Sequence, residues 1–107
     1  MLNRKEISEL FGIPYETLYF WKHPEAYKVG PTRPFRKNIY DFLEKQNANE
    51  ILETLKKDKP VRRVADILRF FDMPKSTFFD WKKNNRYQKL IEYLLKTETI
   101  RNTKKGE

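Results

Sequence analysis

The chain has no cysteine, a single histidine and only three glycines in 107 residues. Without cysteine there can be no disulfide, thiolate metal site or thiol nucleophile, as fits a reducing compartment. One histidine, His23, gives a metal no second imidazole and leaves no serine or threonine with a plausible base. Gly12, Gly30 and Gly106 are too scattered to build a phosphate-cradling loop. The carboxylates show no spacing that suggests a catalytic pair. No run approaches the roughly 20 apolar residues of a membrane span, and the N-terminal residues show no apolar signal region. The expectation is a soluble, cytoplasmic protein that is not an enzyme. It should have no catalytic residues, metal, cofactor or small-molecule substrate, and no membrane association.

What is present is charge and aromatic side chains. Charged residues make up 36% and apolar ones 38%, enough apolar material to fold. The net charge of +8 is unevenly placed. Residues 1–53 hold eight basic and eight acidic side chains, whereas 54–107 hold fifteen and seven. A basic half attracts polyanions, because each neutralised phosphate releases condensed counterions. Basicity alone is equally compatible with a merely solvated surface.

The chain also repeats itself. The segment from Ile7 to Lys22 lies over the segment from Ile67 to Lys82 at an offset of 60, with six identities that include both tryptophans, Trp21 and Trp81. The match resumes at an offset of 51, where Ile39–Lys45 lies over Leu90–Lys96. The first copy therefore carries nine extra residues, in the loop 23–34, whose prolines and glycine disfavour helix. Duplication of one unit is the simplest origin.

Each copy reads as helix, tight turn, helix, connector, helix. Asn3 with Glu6 resembles a capping box, and Ile7, Leu10 and Phe11 make an apolar stripe. Gly12 suits the helix C-terminus, and Pro14 the first turn of the next helix, where Leu18 and Trp21 share a face. A third helix over 35–45 should bury Ile39, Phe42 and Leu43. The second copy places Val61, Val64, Ile67, Leu68 and Phe71 on one helix. Phe78 and Trp81 fall on the next, and Leu90, Ile91, Leu94 and Leu95 on the last. Another helix over 48–57 should join the copies. It has no counterpart ahead of the first copy, whose core must then be covered by the 35–45 helix, the second unit or another subunit. No alternating run suggests a sheet. The expected fold is all-α: two tandem short helical units, 1–46 and 47–107.

The pattern Ile7-x-x-Leu10-Phe11-Gly12-Ile13-Pro14-x-x-Thr17-Leu18-x-x-Trp21 resembles the helix-turn-helix of bacterial regulators, resolvases and transposase N-terminal domains. Ile7, Phe11, Ile13, Leu18 and Trp21 occupy its apolar slots, Ser8 its small slot and Gly12 its turn. The second copy departs from the pattern. Leu68 replaces the small residue, implying a wider helix crossing, and Asp72 replaces glycine, although Asp tolerates the left-handed conformation better than most.

The resemblance implies that the second helix of each unit enters the major groove of double-stranded DNA. By position, the first copy would present Tyr15, Glu16, Tyr19 and Phe20, then Lys22. The second would present Lys75, Ser76, Phe79, Asp80, Lys82, Lys83, Asn84 and Arg86, with Arg62, Arg63 and Arg69 available to phosphates. Trp21 and Trp81 fit core wedges better than base-stacking platforms, because they lie on the buried stripe. A transcriptional regulator or a mobile-element accessory factor would carry such units.

Other readings remain open. The aromatic face of the first copy could serve a protein partner or a homodimer, or pack within the chain. The run Val29-Gly30 and Arg33 to Lys37 is similar to the wing of small excisionase-type proteins. Arg101, Lys104 and Lys105 read as a solvated tail that could also track phosphates. RNA binding is open to any basic helical protein, but the aromatic sheet motifs of common RNA modules are absent.

Overall fold

The computed structural model describes residues 2–23 and 35–98; the wing-like run before Phe35 and the basic tail after Glu98 lie outside them. Among the described residues the fold is all-α, with seven helices and no strand.

Helix α1 (Arg4–Phe11) starts as its sequence predicts. Asn3 Oδ1 accepts the Glu6 N–H at 2.8 Å, and Glu6 Oε1 accepts the Asn3 N–H at 2.9 Å. The helix ends at Gly12, which takes the left-handed conformation at φ 67°. Pro14 stands at the N-cap of α2 (Tyr15–Lys22), one residue ahead of the first turn, and its carbonyl accepts the Leu18 N–H. Helix α3 (Phe35–Glu44) buries Phe35, Ile39, Tyr40 and Leu43, while Phe42 is half-buried between the two halves.

Helix α4 (Ala48–Leu55) is capped by Asn47 and lies against α7 (Gln88–Lys96) with Ile51 buried. Helix α5 (Val64–Phe71) begins later than the apolar spacing suggested. Val61 precedes it, 48% exposed, with its N–H donated to the Leu95 carbonyl. The helix starts where Asp66 can accept the Arg63 N–H, so a capping signal outweighs the apolar stripe. Asp72 ends α5 at φ 58°, the left-handed turn that glycine makes in the first copy. Helix α6 (Lys75–Lys83) follows Pro74, and α7 buries Leu90, Ile91, Tyr93 and Leu94.

The first turn is tightened by Ser8 Oγ, which donates to the Ile13 carbonyl at 2.6 Å. Leu68 has no hydroxyl to do the same, and α5 and α6 approach each other less closely than α1 and α2 do.

The two halves share one core. Helix α1 packs on α2, α3 and α7, and α5 packs on α3 and α7. The open side of the first unit is therefore covered within the chain, by α3 and α7. Residues at the repeat offsets make matching contacts. Phe11 meets Tyr93 at 5.5 Å between ring centroids, and Phe71 meets Phe42 at 5.6 Å. One position out of that register, the Leu2 N–H donates to Glu44 and the Val61 N–H to Leu95, both at 2.9 Å. Trp21 stacks on Trp81 with centroids 5.7 Å apart and planes within 4°.

Candidate nucleic-acid interface

The last turns of α2 and α6 meet through the tryptophan pair, so each helix turns its other side outward. Trp21 and Trp81 are 1% and 4% exposed, and Tyr87 packs edge-on against both. Rings held this way belong to the core and leave no face free for a base.

On α2 the outward residues are Tyr15, Glu16, Tyr19 and Phe20. The Arg4 guanidinium lies 4.6 Å from the Tyr15 centroid and 5.2 Å from that of Tyr19, covering part of this aromatic surface with a cation. Lys22 is turned away from it. Its Nζ pairs with Glu44 Oε2 at 3.2 Å and sits over the Tyr40 ring. Burial pushes the Tyr40 phenol above its ordinary pKa, and the nearby Lys22 opposes that shift.

On α6 the outward residues are Lys75, Ser76, Phe79, Asp80, Lys82 and Lys83. Lys75 Nζ lies 5.9 Å from the Phe79 ring, so its charge stays at the start of the helix. The Asn84 side-chain amide donates both to the Asp80 carbonyl and to Asp80 Oδ1, each at 3.0 Å. That bond partly satisfies the one carboxylate on the exposed face of α6. Arg86 is exposed just beyond the helix, its N–H bonded to the Trp81 carbonyl at 2.8 Å.

The three arginines assigned to phosphates fall in different places. Arg63 and Arg69 are exposed at the start and in the last turn of α5. The Arg62 guanidinium donates to the Thr97 carbonyl through Nε, at 3.1 Å, and through Nη2. Burial lowers its pKa. Arg62 thus closes the end of α7, which leaves Arg63 and Arg69 as the exposed arginines of this segment.

Sequence reasoning passed over one residue here. Arg36, in the first turn of α3, lines a cleft with Ser76, Thr77, Asp80, Trp81 and Arg86 of the second half. The basic run around Phe35 was visible in the sequence, but only the packing of Phe35 on Trp81, 6.2 Å between centroids, brings Arg36 to α6.

One groove is mainly acidic. Glu50, Glu53 and Glu98 line a groove between α4 and α7, which disfavours a polyanion there. Among the described residues no cluster of three or more potential metal ligands forms, and no helix is long and apolar enough to cross a membrane. Comparison of the chain with family models, curated proteins and solved structures finds no match.

Proposed function

We propose that the chain binds double-stranded DNA through paired helix-turn-helix units, with α6 as the reading helix. It would act as a transcriptional regulator or as an accessory factor of a mobile element. The observation that carries this reading is the exposed face of α6. Lys75, Ser76, Phe79, Lys82 and Lys83 stand outward on a helix that follows a left-handed turn at Asp72, with Arg86 exposed just beyond it and Arg63 and Arg69 exposed before it in the chain. A short helix held by a buried Phe78 and Trp81 while its other side carries lysines suits insertion into a major groove lined by phosphates. Bases would be met by Ser76 and Lys75 at the start of α6, and phosphates by the lysines at its end. Reversing charge with Lys75→Glu, Lys82→Glu and Lys83→Glu together should abolish duplex binding by the intact chain in a fluorescence anisotropy titration. Unchanged affinity in a folded triple variant would remove α6 as the reader.

A second reading concerns α2. Tyr15, Tyr19 and Phe20 are all exposed, with one acid, Glu16, and one cation, Arg4, among them, a mainly aromatic surface that suits an apolar contact. In this reading α2 docks a protein partner or a second copy of the chain while α6 holds DNA. Its test is the solution mass of wild type and of a Tyr19→Glu, Phe20→Glu variant. A monomer at high concentration, with and without DNA, rules out self-association. Loss of DNA affinity in the folded variant would make α2 a second DNA reader.

A further inference from the structure

We infer that Arg36 and Arg86 form a clamp for one DNA backbone phosphate, built across the two halves at the flank of α6. This deepens the DNA-binding reading and rests on it. The two arginines come from parts of the chain 50 positions apart, yet they line one open cleft with the hydroxyl-bearing Ser76 and Thr77. Among the described residues neither guanidinium has an ion pair or a hydrogen bond. Among the described lining residues two guanidiniums face one carboxylate, Asp80, so the cleft holds an excess of positive charge.

The Arg36 side chain and the Arg86 backbone are also held in place. The Arg36 guanidinium lies 4.5 Å from the Phe35 centroid, and Phe35 is buried against Trp81. Arg86 is flanked by Asn85 at φ 57° and Tyr87 at φ 54°, both in the left-handed region. For a bulky residue such as tyrosine that conformation is disfavoured. Such backbone strain is kept where a fold over-determines a position and concentrates at functional sites. Here it sets Arg86 at the mouth of the cleft while Tyr87 packs against both tryptophans. Two guanidinium-bearing residues lining one opening suit the oxygens of a phosphodiester, since arginine binds phosphate with parallel N–H donors. A phosphate seated there would fix the register of α6 in the groove without reading sequence. The first half, neutral overall, would thereby contribute to DNA binding through α3 and not through α2.

The test is a titration of a labelled random duplex of about 20 base pairs over a range of KCl, using the intact chain. Wild type would be compared with Arg36→Ala, Arg86→Ala, the double variant and a Lys45→Ala control, each checked for folding by thermal melting. Each single arginine variant should weaken binding about tenfold, as loss of a charge-assisted bond to phosphate does. The double variant should weaken it by less than the product of the two. Its log–log salt slope should fall by about 0.9, the signature of one phosphate. The control should bind as wild type does.

An Arg36→Ala variant with wild-type affinity and slope, alongside a weakened Lys82→Ala variant, would overturn the clamp and leave the DNA reading standing. Failure of wild type to bind any duplex would overturn the DNA reading. Inorganic phosphate, followed through the arginine Nε–H signals by NMR, then decides the cleft separately. Shifts confined to Arg36 and Arg86 would mark it as a site for a free anion, and no shifts would remove it altogether.

Discussion

Single residues set the two turns. Gly12 and Asp72 adopt nearly the same left-handed geometry, φ 67° and 58°, at equivalent places. No atom lies within 4 Å of where a Cβ on Gly12 would stand, so Gly12→Ala tests conformation alone. It should destabilise the protein by about 1–2 kcal/mol, read as a lowered urea midpoint with an unchanged slope. Trp81→Ala should cost more, about 3–5 kcal/mol, because it empties a buried site and removes the partner of Trp21. An unchanged melting temperature with lost DNA affinity would instead assign the ring to a ligand. Tyr93 carries a pH prediction. Burial raises its pKa above the ordinary value of 10.0, so the folded state holds the phenolic proton more firmly than the unfolded chain does. The resulting stability is intact below about pH 10 and is lost as pH rises through the higher folded value. Tyr93→Phe should flatten that alkaline loss when urea midpoints are followed from neutral to alkaline pH. An equally steep loss in the variant would place the effect elsewhere, with Tyr40 the next residue to test.

Helices were legible in the sequence where capping and apolar spacing agreed. Asn3, Glu6 and Gly12 bound α1 as their chemistry suggests, and Asn47 caps α4 with its side chain accepting from Asn49 and Glu50. Asn47→Ala should therefore cost about 1 kcal/mol, seen as a lower melting temperature. Legibility failed where the two signals disagreed. Val61 fits the apolar stripe of α5, but the chain turns helical only at Val64, and Val61 serves through its backbone N–H. Tyr93 was invisible as a core residue because a tyrosine on an amphipathic helix reads equally well as surface. Only its contacts with Phe11 and Phe42, from the other half, decide the matter. Arg62 was legible as basic but not as engaged, since its acceptor, the Thr97 carbonyl, lies 35 positions away.

At the scale of the whole molecule, the repeat offsets predicted two like units but not how they would associate. Contacts between halves depend on which faces meet, and a one-dimensional pattern does not encode that. The halves meet through α1 with α7 and α3 with α5, with the tryptophans stacked between α2 and α6. Fragments 1–46 and 47–107 should therefore each be largely unfolded alone by circular dichroism and gain helix on mixing. Two independently folded fragments would contradict the shared core as a source of stability. The same packing explains why Arg36 escaped sequence reasoning: its proximity to α6 exists only across that interface.

DNA binding itself is tested most directly by the salt dependence of duplex binding by the intact chain. Affinity should be measurable at low KCl and fall steeply, with a log–log slope of about −0.9 for each phosphate neutralised. Several phosphates should be engaged, given the exposed Lys75, Lys82, Lys83 and Arg86. No binding at low salt, or binding indifferent to salt, would contradict the assignment of α6 as a DNA-reading helix.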